Sequence, residues 1–125
     1  VVPWSLLLLC LDSRRWFGSE WLAVAWASFD MAATAALVAL AFALRAGRSW
    51  YRELARTLLG VFLADAWLST AQALLYNVHH VTHWWEWILL AIGVSAPFLA
   101  ASLLGLLLLA RPELHCSASP TSSRR

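Results

Sequence analysis

The sequence predicts an all-α fold: a transmembrane helical bundle with three full spans and a partial first span. Its composition is 62% hydrophobic and only 13% charged, which is far from the profile of a water-soluble domain. The apolar residues form three runs of about 20 residues or more, the length at which a helix crosses a bilayer. A water-soluble core of 125 residues could not bury so much apolar surface, whereas lipid accepts it.

The first segment, residues 1–11, is apolar but too short to cross a bilayer, because a crossing helix needs about 20 residues. It has neither the positive n-region nor the small-residue cleavage site of a signal peptide. We interpret it as the outer half of a first transmembrane helix. A truncated start or a non-standard start codon would explain the missing initiator methionine. The alternative is a re-entrant or interfacial segment.

The full spans are predicted at residues 21–44, 57–76 and 87–110. Ser19 is placed to cap the first of these helices, and Gly47 to end it. Small residues recur at helical spacing along the last span and predict a packing face, namely Ala91, Ser95, Ser102 and Gly105. Residues 111–125 are rich in Ser, Pro and Thr, and we expect a disordered tail.

The arginines predict the orientation of the spans. Most of them lie in the loop 45–56 and in the tail 111–125, so the positive-inside rule places both, and the C-terminus, in the cytoplasm. The loop 77–86 has three histidines and no arginine, and is expected outside. Arg14 and Arg15 would also lie outside, and are exceptions to the rule.

Four arginines follow spacings of three, four and four residues, which predicts one face of a helix: Arg45, Arg48, Arg52 and Arg56. This pattern is typical of contact with anionic lipid headgroups. The alternative is an ordinary positive-inside anchor.

Asp65 lies near the middle of the span 57–76, where a charged side chain costs about 2.5–3.5 kcal/mol. Ser69 and Gln72 follow it at i+4 and i+7, so the three form a polar stripe. In the span 21–44 the only ionisable residue is Asp30, and Thr34 follows it at i+4. The pattern indicates a proton or cation relay; the alternative is hydrogen bonding between helices.

Helix geometry places the two aspartates at similar depths. Asp30 lies nine residues after Trp21 and Asp65 lies eleven residues before Tyr76, about 13 Å and 16 Å below one surface at 1.5 Å per residue. If the helices turn these carboxylates toward each other, both cannot ionise cheaply, so the pair would share a proton or capture a cation. No lysine or mid-span arginine is available to neutralise it.

His79, His83 and Glu86 follow i, i+4, i+7 spacing, so on a continuous helix they would share one face. Two histidines and a carboxylate suit a divalent metal. The alternative is a polar interfacial loop.

Several function classes are excluded or disfavoured. The absence of lysine excludes Schiff-base chemistry with retinal or pyridoxal phosphate, and also a Walker P-loop. There is no GxGxxG motif and no nucleophile–base pair. We therefore expect neither an enzyme nor a cofactor, and no nucleic-acid partner.

The elements WASFD (residues 26–30) and ADAW (residues 64–67) resemble the AW..FD and DAW motifs of a family of small, uncharacterised integral membrane proteins of high-GC Gram-positive bacteria. The resemblance implies four helices with a complete first span, in a bacterial plasma (inner) membrane. It carries over Asp30, Asp65, Ala66 and Trp67. Ser69 stands where the family tends to place a second acid, and the family supplies no activity.

Three functional hypotheses follow. The first is a small multi-span integral membrane protein of unassigned function, whose partner is the lipid bilayer. The second is a proton- or cation-coupled transporter or channel-like protein, as a homo-oligomer if few helices are to form a pathway. The third is an accessory subunit whose small-residue faces dock on a membrane-protein partner.

Overall fold

A computed structural model describes residues 13–110 of the chain. Within them the fold is helical and has no β-strand, which confirms the predicted all-α bundle. The α-helices are α1 (Ser13–Phe17), α2 (Glu20–Arg45), α3 (Tyr51–Leu75) and α4 (Trp84–Ala110), with a 3-10 helix at Asn77–His79 between the last two. The predicted partial span 1–11 and the tail 111–125 lie outside the described residues.

Three of the helices are long and apolar enough to cross a membrane: α2, α3 with the 3-10 helix, and α4. Only 17–28% of the most apolar stretch of each is buried inside the protein. Large apolar side chains are exposed, such as Leu75 at 80% and Leu109 at 78%. Surface of this kind is stable in lipid and costly in water. The chain is a small integral membrane protein.

Both ends of α2 are formed as the sequence predicts. The Ser19 hydroxyl accepts a hydrogen bond from the Leu22 amide at 3.2 Å, which satisfies one of the free amides of the first turn. At the other end Gly47 adopts φ +61, and the Arg48 amide donates to the Ala43 carbonyl at 2.9 Å. This left-handed turn ends the helix and directs the chain into α3.

The core lies where α2, α3 and α4 meet, and α3 and α4 pack most extensively. Alanines bring the helices close together, which is how helices associate in lipid. The buried core residues are Ala33 and Leu40 of α2, Ala55, Leu58 and Phe62 of α3, and Ala101 and Leu104 of α4.

The packing face of α4 differs from the predicted one. Ala91, Ser95 and Ser102 are exposed, and the helix instead buries Pro97, Ala101 and Leu104, which follow i, i+4, i+7 spacing. The two serine side chains form hydrogen bonds within α4. Their hydroxyls donate to carbonyls of their own helix, one at 3.3 Å and one at 2.8 Å.

The prediction that four arginines share one helical face is wrong. Arg45 ends α2 and Arg48 lies in the loop after the Gly47 turn, so only Arg52 and Arg56 are on α3. Arg56 forms an exposed ion pair with Glu53 at 2.6 Å. Their contact with lipid headgroups stays a prediction.

Candidate functional site: an acidic cavity between the helices

A cavity of about 330 Å³ lies between the four α-helices. Its polar lining comes from α2, α3 and the residue that begins the 3-10 helix: Asp30, Asp65, Ser69, Gln72 and Asn77. The rest of the wall is apolar and aromatic, and includes Trp16, Trp26 and Phe62. The structure therefore brings the two predicted aspartates, which belong to different helices, to one space.

Asp65 is 8% exposed, in the interior of α3. One helical turn later, the Ser69 hydroxyl donates to the Asp65 Oδ1 at 3.1 Å, so the first pair of the predicted polar stripe is formed. The other residues that the family resemblance carried over lie beside it. Ala66 is 1% exposed and packs inward, whereas Trp67 is 73% exposed and faces outward.

Asp30 is half-buried and reaches the same cavity from α2. Thr34 does not join it. The Thr34 hydroxyl donates to the Asp30 backbone carbonyl at 2.7 Å, so it is used within its own helix and not at the carboxylate. The described residues that line the cavity include no arginine or histidine, so neither carboxylate has a basic side chain beside it there.

Two amide side chains fix the position of α1 over the cavity. The Gln72 Nε2 and the Asn77 Nδ2 both donate to the backbone carbonyl of Trp16, each at 3.3 Å. That carbonyl is available because α1 has only five residues, and the last carbonyls of a helix have no partner within it. A carbonyl only accepts hydrogen bonds, so the orientation of both amides is determined.

The Asn77 Oδ1 is left without a partner. Asn77 is 5% exposed and lines the cavity, and its oxygen accepts no hydrogen bond within residues 13–110. Such a buried acceptor costs stability unless something donates to it.

A second polar cluster locks the connector to the loop that precedes α4. The Arg15 guanidinium forms an ion pair with Glu86 at 2.8 Å and donates to the His80 carbonyl at 2.9 Å. It also donates to the Thr82 hydroxyl at 2.7 Å. Glu86, 0% exposed, accepts from the backbone amides of Thr82 and His83 at 2.7 Å and 3.0 Å. Through the His83 amide, this glutamate caps the start of α4.

The geometry behind the predicted metal site is wrong, because its residues are not on one continuous helix. His79 ends the 3-10 helix, His83 precedes α4, and Glu86 lies within it. The Glu86 carboxylate is already engaged by Arg15 and two backbone amides. Residues 13–110 contain no group of three or more His, Cys, Asp or Glu side chains that would hold a metal ion.

Sequence reasoning missed Trp16 and Asn77 as parts of the site. Their link is a hydrogen bond to a backbone carbonyl 61 residues away, and no side-chain pattern encodes such a contact. It also missed the Arg15–Glu86 pair. The signal for Arg15 was that it is an exception to the arginine rule in the predicted topology.

No family model, curated protein or solved structure matches this chain.

Proposed function

We propose that this protein binds protons or cations within the membrane, as a small proton- or cation-coupled transporter or channel-like protein rather than an enzyme. One observation carries the proposal. Asp30 and Asp65 come from two different helices and line one cavity, where no described basic side chain accompanies them.

A charged side chain is costly inside a membrane. Two carboxylates in a site of low dielectric constant repel each other and lose hydration, so the doubly ionised pair is strongly disfavoured. A shared proton or a bound cation removes that cost. Ser69 donates to Asp65 and offers a hydroxyl through which a proton can pass along α3.

Infrared titration of the detergent-solubilised protein tests the shared proton directly. We expect a protonated-carboxyl band near neutral pH that Asp30→Asn and Asp65→Asn each alter. Glu53→Gln is the matched control, because Glu53 is an exposed carboxylate paired with Arg56. If no such band appears, or if the control changes it as much, the shared proton is refuted.

A flux assay separates transport from a structural role. Both asparagine variants should fold, since an amide replaces a protonated acid in hydrogen bonding. In proteoliposomes under a pH gradient, either change should abolish a proton leak that the wild type shows. If both variants keep the wild-type flux while Asp65→Leu only destabilises the protein, the aspartates are structural.

We also propose the bacterial plasma membrane as the location, with the C-terminus in the cytoplasm. The arginine distribution and the family resemblance support this. Cysteines introduced at Ser49 and His79, in a chain with Cys10 and Cys116 replaced by alanine, should differ in labelling by an impermeant reagent. Labelling of position 79 alone in intact cells is expected, and labelling of position 49 alone would reverse the orientation. Thr82 is a poor reporter because it bonds to Arg15.

A homo-oligomer or a membrane-protein partner is favoured by the exposed small-residue face of α4. Ala91, Ser95 and Ser102 leave room for a second helix to approach closely. Disulfide crosslinking of Ser95→Cys in membranes would detect a second copy. A lack of crosslinks there, with crosslinks at a bulky exposed position such as Leu103, would argue against this face.

A further inference from the structure

We propose that the cavity binds a small organic ammonium ion, with its charged head at Asp30 and Asp65 and its carbon body against the apolar wall. This inference rests on the proposed function and names the ligand class of the same site. It follows from three features of the lining: its hydrogen-bonding capacity, its charge and its size.

The two carboxylates of the lining are hydrogen-bond acceptors. Asn77 and Gln72 each use an amide nitrogen on the Trp16 carbonyl, which leaves their oxygens for other groups. The Ser69 hydroxyl donates to Asp65. The two carboxylates together have four acceptor oxygens, and the hydrogen bond described for them is the one from Ser69. A ligand that matches these acceptors carries several donors, and an ammonium group has that character.

The charge of the lining points the same way. Two carboxylates line the cavity, and its described lining includes no cationic side chain. A cation that enters from outside would therefore balance the charge of the acidic pair. A neutral alcohol would supply at most one donor, and an anion would be repelled.

The size and the wall distinguish an organic cation from a bare one. A water molecule occupies about 30 Å³ of liquid, so a cavity of 330 Å³ has roughly ten times the volume of one water molecule. Most of the wall is made of aliphatic and aromatic side chains, which cannot coordinate a metal ion. Trp16 and Trp26 are among them, and indole is the aromatic group that attracts cations most strongly. A short alkyl chain would cover this wall.

The test is thermal unfolding of the full chain in detergent with n-butylammonium chloride as the probe. At about 100 times its Kd, a ligand that binds only the folded state should raise the midpoint by about 10 °C. We expect a saturable rise with n-butylammonium and a smaller one with tetramethylammonium, which has the charge but no N–H donor. n-Butanol and sodium chloride at equal concentration should give little change. An equal rise with n-butanol would mean that only apolar filling occurs, and would overturn the proposal.

Variants locate the site. Asp30→Asn and Asp65→Asn should abolish the n-butylammonium shift, because each removes one of the two charges that bind the ammonium group. Ser102→Ala is the control, since its hydroxyl is exposed and bonded to its own helix. A shift that survives both asparagine variants would place the ligand elsewhere.

The two proposals fail separately. If the infrared band is sensitive to both aspartates but n-butylammonium gives no shift, the proton function stands and the ligand class is wrong. If n-butylammonium binds at the aspartates while the band and the flux are absent, the ligand site stands and proton coupling is wrong.

Discussion

Replacing Asn77 with leucine should stabilise the protein, although it removes a hydrogen bond. The Asn77 side chain is 5% exposed, and its Oδ1 has no partner in the described part of the chain. A buried acceptor in that state costs about 1–3 kcal/mol. Leucine has a similar size, carries no polar atom, and can extend its methyl groups into the adjoining cavity.

The bond that is lost has a smaller value. Asn77 Nδ2 donates to the Trp16 carbonyl at 3.3 Å, at the long end of the range, and such a bond contributes about 0.5–1.5 kcal/mol. The carbonyl keeps a second donor, because Gln72 also binds it at 3.3 Å. The difference between the two central values is about 1 kcal/mol in favour of leucine.

Reversible unfolding in mixed micelles, with sodium dodecyl sulfate as the denaturant and no amine present, measures this difference. Gln72→Leu is the matched control: it removes the other amide donor to Trp16, but the Gln72 oxygen is not a buried atom without a partner. It should lower the free energy of unfolding by about 0.5–1.5 kcal/mol. The two variants should therefore shift stability in opposite directions. If Asn77→Leu lowers stability by about 1 kcal/mol or more, Oδ1 is satisfied and the orphaned-acceptor argument is refuted.

Three further predictions concern the ends of the helices. Glu86→Ala should lower the thermal midpoint of the detergent-solubilised protein and speed amide exchange at Thr82 and His83. The control Glu53→Ala breaks an exposed ion pair and should change stability by no more than about 1 kcal/mol. Equal effects of the two variants would contradict the role of Glu86. Gly47→Ala should lower the free energy of unfolding by about 1–2 kcal/mol, because φ is +61 at this position. The control Gly60→Ala lies in a helix with open space around it, and should be neutral or stabilising in the same unfolding assay. Ser19→Ala should cost about 0.5–2 kcal/mol through the lost cap, and a neutral result in that assay would show that the Leu22 amide finds another acceptor.

The helices were predictable because their signal is local. Runs of apolar residues, a capping serine and a glycine that tolerates positive φ act over a few residues, and each appears in the structure where the sequence indicates it. The shared depth of Asp30 and Asp65 also follows from helix rise alone, and both residues line one cavity.

What could not be predicted depends on how helices rotate and where they stop. The metal prediction assumed that His79 and Glu86 belong to one helix, but the chain leaves helical geometry between them. The prediction of one arginine face was wrong for the same reason, because the chain leaves helical geometry at the Gly47 turn. Depth along an axis can be calculated from residue numbers, whereas the rotation that buries Ala101 and exposes Ser102 depends on the neighbouring helices.

Arg15, an exception to the positive-inside rule in the predicted topology, is paired with Glu86. It is adjacent to Trp16, which lines the acidic cavity, and an arginine there would be the natural counter-ion of the two aspartates. The structure instead directs its guanidinium to Glu86, where an ion pair at 2.8 Å and bonds to the loop preceding α4 engage it. Glu86 thus fixes the loop and also keeps Arg15 occupied. Because this nearby cation is engaged elsewhere, no described basic side chain lies beside Asp30 and Asp65 in the cavity, and the proposed proton or cation site starts from this arrangement.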